Sequence, residues 1–372
     1  MMTDIEQTMP RASAAELLEA SIQGQRLHRA DALLLAREAG LFDLGRAAHG
    51  IRMHRHPSSL VTYVVDRNIN YSNICVCACK FCAFFRPPGH PEGYVLSREE
   101  LARKIEQTLA AGGTQILLQG SHHPDLPLAF YLDMLAFIKS RYPSIHIHAF
   151  SPPEIMHIAE LCALTPKEVL KQLIQAGLDS IPGGGAEILV DRVRQFVSPN
   201  KCTAGQWLEV MRLAHELGLK TTATMMFGHL ETLEDRIEHL LALRRLQDET
   251  QGFTAFIPWT FQPDHTRLPL AKATSITYLR SLALARIVLD NIPNLQVSWV
   301  TMGAKIAQLG LFFGANDFGS TMIEENVVAA SGVHFRMSRS DIESTIQEAG
   351  FRPKQRRMDY SLVEPEASAG RV

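Results

Sequence analysis

The strongest constraint on the fold is a regular alternation of short apolar runs with longer segments of helical periodicity, which begins near residue 60. Apolar runs rich in β-branched residues are typical of buried strands, and apolar residues three or four apart are typical of helices. Parallel strands joined by right-handed helical crossovers account for such an alternation. Eight repeats predict an α/β fold, a closed (β/α)8 barrel of the TIM type. The predicted strands are Leu60–Val65, Gln115–Leu118, Ile145–Phe150, Asp179–Pro182, Lys220–Phe227, Phe253–Trp259, Leu295–Val300 and a run within Gly310–Asp317.

The predicted helices divide the chain into three parts. Residues 1–58 form an N-terminal helical extension that caps the barrel bottom or mediates homodimer formation, and residues 59–330 form the barrel. Residues 331–372 form a C-terminal helix with a polar end, which we expect to be disordered beyond Pro353. Helical spacing marks Ala14–Leu18, Ala30–Ala36, Leu41–Ala47, Ser97–Ala110, Leu126–Ser140, Pro166–Ala176, Ala186–Gln195, Gln206–Leu217, Leu233–Leu246, Ser275–Asn291 and Asp341–Ala349.

Charge and hydropathy narrow the class of function. The formal net charge is -2, so no basic field favours nucleic acid or an anionic membrane, and a small-molecule substrate is expected. Acidic residues near the N-terminus, among them Asp4 and Glu6, are not typical of a secretory signal peptide. The sequence has no uncharged apolar stretch long enough to cross a bilayer, so we expect a cytoplasmic protein.

Four of the six cysteines lie in one short segment that follows the first predicted strand. In a reducing compartment, such a group is typical of metal binding rather than of disulfide formation. Cys75, Cys79 and Cys82 give the spacing C-x3-C-x2-C. Three thiolates bound to a [4Fe–4S] cubane leave one iron open to another ligand.

This spacing, and its place after a first barrel strand, resembles the radical S-adenosylmethionine (SAM) superfamily. In that superfamily the methionyl amine and carboxylate of SAM bind the open iron, and an electron from the cluster breaks the sulfonium bond to yield a 5′-deoxyadenosyl radical. The resemblance implies that Cys75, Cys79 and Cys82 bind the cluster. It also implies that Phe81 packs against the adenine of SAM.

Cys77 adds a fourth thiol to the same loop. Four thiolates would permit a coordinatively closed cluster in a non-enzymatic electron carrier, or a zinc site. A single short loop rarely wraps all four corners of a cubane, and an electron carrier has no need of a pocket at the carboxyl end of a barrel. We therefore expect Cys77 to be a small packed residue. Cys162 and Cys202 have no neighbouring cysteine and are expected to be structural.

In a parallel barrel the chemistry lies on the loops that follow the strands. After the second predicted strand, Gly120 lets a ligand approach the backbone closely. The superfamily resemblance implies that Gln119 and Gly120 bind the methionyl amine, with His122 or His123 facing the substrate. The alternative is a pair of exposed turn histidines.

The third predicted strand carries two histidines. Alternation places His146 and His148 on the same face. No third ligand at a suitable spacing supports a metal pair, so interior histidines with hydrogen-bond partners are favoured. His148 and Ser151 lie nearer the catalytic end, and we expect them to contact the substrate and the cofactor, respectively.

The remaining loops supply further polar candidates. Glu187 starts a predicted helix, where it either favours the helix dipole or accepts the ribose hydroxyls of SAM. Arg194, on the same predicted helix, is a candidate partner of the methionyl carboxylate, and the superfamily pattern favours both cofactor roles. The later loops predict a pocket for a second substrate. Their candidate substrate contacts are Trp259, Gln262 and Thr301, and their other polar residues are His229, Glu231, Asn316, Asp317 and Glu324.

Four longer segments carry a closer resemblance. They are HAFSPPEI from residue 148, GLDSIPGGGAEIL from residue 177, TATMMFGH from residue 222 and FTAFIPWTFQP from residue 253. With these segments the sequence resembles the dehypoxanthine futalosine cyclases, radical SAM enzymes of the futalosine route to menaquinone. The resemblance extends from the first strand to near Val328. The sequence departs from that family at Cys77, usually a small non-cysteine residue, and at Ser121, usually glycine.

The resemblance implies a specific reaction. The deoxyadenosyl radical removes the ribose C4′ hydrogen of dehypoxanthine futalosine, and the carbon radical adds to the benzoate ring to form a spiro ring system. Loss of a proton and an electron restores aromaticity, so a base is required, for which the candidates are Asp317, Glu324 and His229. The resemblance also implies an electron donor such as flavodoxin or ferredoxin. Aminofutalosine synthases and deazaflavin synthases share the cluster and the barrel and are the nearest alternatives.

Overall fold

The computed structural model describes residues 12–364. The strands are β1 (Leu60–Val64), β2 (Asp66–Asn70), β3 (Gln115–Gln119), β4 (His146–Ala149), β5 (Ser180–Ile181), β6 (Lys220–Phe227), β7 (Phe253–Thr260), β8 (Asn294–Leu295), β9 (Asp317–Ser320) and β10 (Arg352–Gln355). The α-helices are α1 (Ala14–Ile22), α2 (Arg29–Glu38), α3 (Leu41–Arg55), α4 (Arg98–Ala110), α5 (Leu128–Arg141), α6 (Pro152–Leu161), α7 (Pro166–Ala176), α8 (Asp191–Val197), α9 (Ala204–Glu216), α10 (Leu233–Thr250), α11 (Ser275–Val288), α12 (Trp299–Met302), α13 (Ala304–Gly310) and α14 (Arg339–Glu348).

Seven strands form one parallel sheet in which β2 to β8 lie in chain order. Each strand lies next to its predecessor because a helix on the outer face returns the chain in the same direction. The register aligns Asp66 with Gln115 and Gln115 with His146, so polar side chains at the amino ends of successive strands form one layer. The prediction of an α/β fold with parallel strands is confirmed.

The predicted closed barrel of eight strands is observed only in part. A separate three-stranded sheet, in the order β10–β1–β9, flanks the seven-stranded sheet. A single bridge between Gln296 and Asp317 joins the end of β8 to β9. The seven-stranded sheet is therefore a curled partial barrel rather than one continuous ring of ladders.

The last two predicted strands are wrong in their bounds. Of the run predicted at Leu295–Val300, only the first residue is in β8, because Trp299 begins the short helix α12. The run predicted within Gly310–Asp317 contains the end of α13 and a turn at Gly314, whose φ is 99°. The strand β9 begins where the predicted one ends. Both runs are apolar, and burial in a loop or short helix produces the same pattern as burial in a strand.

Two helices also differ from the prediction. The sequence analysis did not predict α6, although Ser151 caps its N-terminus and Glu154 completes a capping box. The helix predicted to begin at Ala186 begins instead at Asp191. Glu187 precedes it with a φ of 41° and is therefore a loop residue, so the helix-dipole explanation of Glu187 is wrong.

The predicted N-terminal helices are confirmed as α1 to α3, and α3 packs against α11. Polar contacts also join α11 to the C-terminal end of α2. Arg280 of α11 donates hydrogen bonds to the carbonyls of Ala36 and Ala39, at 3.0 and 2.8 Å. No helix within residues 12–364 has the length and apolar character needed to span a bilayer.

The predicted disorder beyond Pro353 is wrong for the described part of the tail, and residues 365–372 lie outside the described residues. The strand β10 pairs in parallel with β1, and the Arg356 N–H donates to the Tyr63 carbonyl at 2.8 Å. The Arg356 side chain forms a buried ion pair with Asp317, with N–O distances of 2.5 and 3.0 Å. The C-terminal segment is thus part of the packed structure.

Candidate active site

The curled sheet encloses an interior cavity of about 260 Å³. Three predicted substrate contacts, His148, Trp259 and Thr301, line it. Arg356 and Tyr360 of the C-terminal segment line it from the amino end of the strands, where Tyr360 also lies beside the first residues of β6 to β8. Further polar groups on its wall are Asp66, Asn68, Gln115, Gln119, Thr222, Thr224, Gln296, Ser298, Ser320 and Glu325.

The cysteine loop leaves the carboxyl end of β2 and is fixed by backbone hydrogen bonds to distant segments. The Val76 N–H donates to the His122 carbonyl at 3.0 Å, and the Lys80 N–H donates to the Val197 carbonyl at 2.8 Å. These bonds tie the loop to the segment that follows β3 and to the last residue of α8. The loop is therefore held over the carboxyl end of the sheet, where a parallel barrel carries its chemistry.

The three predicted cluster ligands are free thiols in different electrostatic surroundings. The neighbouring Cys77 thiol lowers the pKa of Cys75 to about 6 and also lowers the pKa of Cys79. Burial raises the pKa of Cys82 to about 11. Thiolates are the species that bind iron, and two of the three ligands are thus predisposed to ionise.

Cys77 is buried and already has protein partners. Its Sγ lies 2.9 Å from Nδ1 of His122 and donates to the Asn200 carbonyl at 3.3 Å. Within residues 12–364, no three His, Cys, Asp or Glu side chains are arranged as ligands of a single metal ion. The contacts of Cys77 with His122 and the Asn200 carbonyl favour a packed Cys77.

Glu187 and Phe81 both contact a partly buried cation, Lys201. The Lys201 Nζ donates to Oε1 of Glu187 at 3.0 Å and lies 5.2 Å from the centre of the Phe81 ring. Oε2 of Glu187 is buried, lies 3.5 Å from the nearest guanidinium nitrogen of Arg194 and has no hydrogen-bond partner among the described residues. An acceptor of this kind calls for a donor such as a hydroxyl, so the group fits the ribose and adenine of SAM.

Arg194 is also buried, but its donors are occupied. The guanidinium donates to the carbonyls of Gly185 and Ala186, at 3.0 and 2.6 Å, and to the Cys202 carbonyl at 3.0 and 2.7 Å. These bonds hold together the loop that carries Glu187. The geometry therefore favours Arg194 as a support of the loop over a direct partner of the methionyl carboxylate.

Gly120 and Ser151 meet at a carboxylate that the sequence analysis did not single out. Oε1 of Glu154 accepts from the Gly120 N–H at 3.0 Å and from the Tyr71 hydroxyl at 2.7 Å. Oε2 accepts from the N–H and the hydroxyl of Ser151, at 2.7 and 2.6 Å. A Cβ on Gly120 would lie 2.2 Å from the Tyr71 ring, so only glycine leaves room for this arrangement.

Comparison with known proteins assigns the family. A model of the radical SAM superfamily matches residues 69–243, and a model of the CofH/MqnC C-terminal region matches residues 250–368. A protein of Halalkalibacterium halodurans named cyclic dehypoxanthine futalosine synthase is 47% identical over 93% of this chain and 94% of its own. The chain belongs to the CofH/MqnC family of radical SAM enzymes. The resemblance that the cysteine spacing and the four longer segments carry is thereby confirmed.

Other members of the CofH/MqnC family are nearly as similar. The Streptomyces coelicolor protein of the same name is 42% identical over 94% of this chain and 89% of its own. The Thermus thermophilus aminodeoxyfutalosine synthase is 40% identical over 93% of this chain and 95% of its own. Among solved structures, methylornithine synthase superposes with a TM-score of 0.70, at 17% identity over 91% of this chain and 97% of that one. That last likeness concerns the fold alone.

Membership in a family of radical enzymes rules out the alternative of a non-enzymatic electron carrier. The other predicted substrate contacts can now be compared with the lining of the cavity. The structure brings none of His122, His123 and Gln262 to the cavity wall. His122 contacts Cys77 and stacks on His157 with 4.8 Å between ring centres. Gln262 donates to the Thr260 hydroxyl at 3.0 Å.

The three candidate bases lie outside the cavity wall as well. Asp317 is held by Arg356. Glu324 accepts from the Lys104 Nζ through both oxygens at 2.6 Å. His229 lies 3.2 Å from Glu231. Each of the three already has a partner in the protein, and none faces the enclosed space.

The sequence analysis did not single out several residues that the structure places at the candidate site. Glu154 carried a signal, since Ser151-Pro152-Pro153-Glu154 is a capping box with proline in the first turn. Lys201 carried none, because an isolated lysine after a helix is ordinarily a solvated residue. The polar tail, whose pattern predicts no strand, supplies three further residues of the cavity wall, Arg356, Met358 and Tyr360.

Proposed function

We propose that the protein converts dehypoxanthine futalosine to cyclic dehypoxanthine futalosine in the futalosine pathway of menaquinone biosynthesis. The supporting observation is the identity of 47% to a protein of that name over 93% of this chain. The aminodeoxyfutalosine synthase is 40% identical, and a 5-amino-6-(D-ribitylamino)uracil–L-tyrosine 4-hydroxyphenyl transferase of Archaeoglobus fulgidus is 43% identical over 82% of this chain. The nearest alternatives are those that the sequence indicated, an aminofutalosine synthase or a deazaflavin synthase.

Cys75, Cys79 and Cys82 would hold a [4Fe–4S] cluster, and Phe81 with Glu187 would hold the adenosine part of SAM. Oε2 of Glu187, which is buried without a hydrogen-bond partner among the described residues, supports this assignment. When bound, the two cofactors supply a 5′-deoxyadenosyl radical that removes the ribose C4′ hydrogen. A donor such as flavodoxin or ferredoxin would deliver the electron.

The protein's own part is to hold the substrate and to exclude water. In the proposed arrangement β9 serves as the eighth wall of a closed barrel, supported by the hydrogen bond from the Val297 N–H to the Asp317 carbonyl at 3.0 Å. His148, Trp259 and Thr301 contact the substrate. A carbon radical abstracts stray hydrogen readily, so enclosure by packed strands protects it until the ring closes.

The test is a turnover assay with an anaerobically reconstituted protein, SAM, dithionite and dehypoxanthine futalosine. Mass spectrometry should detect 5′-deoxyadenosine together with a product lighter than the substrate by the two hydrogens that cyclisation removes. Deoxyadenosine without that product would reject the proposed substrate and retain the radical chemistry.

Matched cysteine variants test the cluster assignment. Cys79→Ala should lose the iron–sulfur absorbance and both products, whereas Cys162→Ala, outside the cysteine loop, should retain them. Cys77→Ala should retain the cluster because its thiol bonds to His122 and the Asn200 carbonyl. Loss of the cluster in Cys77→Ala would instead support coordination by four cysteines.

A further inference from the structure

Behind His148, a chain of hydrogen bonds leads away from the cavity. Nδ1 of His148 lies 2.7 Å from Oγ of Ser180, and the same Oγ lies 2.7 Å from Nε2 of His146. The chain is built by register, because His148 of β4 pairs with Ser180 of β5 and His146 lies two residues earlier on the same face. One hydroxyl therefore joins two imidazoles.

The two ends of this chain lie in different environments. His148 is buried and lines the cavity, and its Nε2 has no hydrogen-bond partner among residues 12–364. His146 is half-buried at the amino end of β4, opposite the end that carries the cysteine loop. Beyond it, the carboxylate of Asp179 accepts from the Lys139 Nζ at 2.6 Å. The chain thus leads from the enclosed space to the amino end of the sheet.

The single proton of the Ser180 hydroxyl determines how the two imidazoles must be protonated. The Ser180 hydroxyl has one proton, so it donates to one imidazole and accepts from the other. Burial lowers the pKa of His148 well below its usual value, so this imidazole is neutral at physiological pH and one of its nitrogens is a free base. Donation from Nδ1 of His148 to Ser180, and from Ser180 to Nε2 of His146, leaves Nε2 of His148 free to accept.

We propose that His148, Ser180 and His146 form a proton relay that removes the ring proton released when the cyclised product regains aromaticity. The relay rests on the proposed function, which supplies the ring proton. The C–H bond at the newly substituted ring carbon breaks, its proton passes to Nε2 of His148, and its electron pair returns to the ring. The unpaired electron would leave to a one-electron acceptor, a role that the oxidised iron–sulfur cluster could supply when bound. Protons then move from His148 to Ser180 and from Ser180 to His146.

Other groups on the cavity wall are poorly placed for this task. The carboxylate of Asp66 accepts from the Ser320 hydroxyl and from the Gln115 amide. The carboxylate of Glu325 accepts the N–H groups of three residues, at 2.8 to 3.1 Å. His148 is the imidazole on the described cavity wall. A relay that ends at the amino end also lets the proton leave without opening the carboxyl end, where the radical is generated.

The experiment measures the ratio of cyclic product to 5′-deoxyadenosine in variants of the reconstituted enzyme. In His148→Asn, general-base catalysis is lost, and the ratio should fall about 10²-fold. Ser180→Ala and His146→Gln should each lower it by at least about tenfold, whereas Ser180→Thr, which keeps the hydroxyl, should restore it. His215→Asn is the matched control, since His215 is a half-buried imidazole between two hydroxyls, 2.7 Å from each, and lies outside the relay.

Substrate deuterated at C4′ adds a readout that a merely structural lesion would not produce. When the ring proton cannot leave, the ring adduct reverts and the C4′ radical takes a hydrogen from the 5′-methyl group of deoxyadenosine. The deoxyadenosyl radical formed in this way abstracts again or is reduced to deoxyadenosine by dithionite and a solvent proton. Recovered substrate should therefore contain protium at C4′ in the relay variants and not in the wild type. Wild-type ratios in both Ser180→Ala and His146→Gln would overturn the relay. A wild type that forms deoxyadenosine but no cyclic product would overturn the proposed function, and the relay with it.

Discussion

Asp317 illustrates how a polar residue at a strand end can serve the fold. It forms a buried ion pair with Arg356 and accepts from the Thr62 hydroxyl at 2.6 Å. Asp317→Asn leaves the guanidinium buried without its counter-charge, so the free energy of unfolding should fall by about 3–5 kcal/mol. Urea unfolding of the cluster-free protein measures this loss.

The matched control is Asp264→Asn, which removes the partner of Lys272 in an exposed pair at 2.7 Å. Its cost should be below about 1 kcal/mol. A stable Asp317→Asn variant that forms deoxyadenosine but no cyclic product would show instead that Asp317 is the base.

Burial of His215 makes stability depend on pH. Burial, with Lys220 and Arg212 nearby, lowers the pKa of His215 from 6.5 to about 4. The unfolded chain therefore binds a proton that the folded chain does not between these values, so stability is lost as the pH falls through this window. Between pH 6.5 and pH 4, protonation of this one group in the unfolded chain should lower the free energy of unfolding by about 3 kcal/mol.

The measurement is the free energy of unfolding of wild type and His215→Gln at pH 8, 6 and 4.5. The variant should be less stable at pH 8, where it lacks two hydrogen bonds, and should lose less stability on acidification. Parallel pH profiles for the two proteins would contradict the role of His215.

At the scale of single residues, the sequence indicates which residue types can do the chemistry better than it indicates which side chains contact each other. The cysteine spacing predicts three cluster ligands because iron–sulfur clusters are held by thiolates at such intervals. His146 and His148 were correctly placed on one face because strand alternation has a fixed period. Their joint partner Ser180 lies on another strand, and the position of Lys201 depends on a loop, so local patterns contain neither contact.

At the scale of elements, the long amphipathic helices and long apolar strands were predictable, and the short or polar ones were not. The strand β10 has the sequence Arg-Pro-Lys-Gln, which has no apolar alternation. It is a strand because β1 offers an unpaired edge, a tertiary cause that overrides propensity. In the same way, the apolar residues from Val297 to Val300 are buried against the cavity by a turn and a short helix.

The pairing of β10 with β1 can be tested at Arg352, whose N–H donates to the Ser59 carbonyl at 2.8 Å. Arg352→Pro removes this donor and should lower the free energy of unfolding by about 1–3 kcal/mol. Arg352→Ala loses the same exposed side chain and keeps the N–H, so it should cost less than about 0.5 kcal/mol. Equal stability of the two variants would show that the β10 ladder contributes nothing.

At the scale of the whole molecule, the two halves of the proposed chemistry have separate structural origins. The residues proposed to hold the cofactors lie on loops beyond the carboxyl ends of the strands, namely the cysteine loop and the loop of Glu187. Much of the cavity is lined by the strands themselves, and its far end by the C-terminal segment. The alternation of strands and helices predicted the barrel-like interior. It did not predict that the C-terminal segment closes the far end of the cavity, because no local sequence pattern indicates that this segment pairs with β1.

This separation predicts that the substrate binds without the cluster. In the described chain no residue from Cys75 to Cys82 lines the cavity, so replacing Cys75, Cys79 and Cys82 together by serine leaves its walls intact. Isothermal titration calorimetry with dehypoxanthine futalosine should give a Kd within about tenfold of that of the reconstituted enzyme, a difference below about 1.4 kcal/mol. Trp259→Ala removes an aromatic side chain from the cavity lining and should raise the Kd by at least about thirtyfold. Loss of binding in the serine variant, with binding retained in Trp259→Ala, would place the substrate against the cofactors instead of inside the sheet.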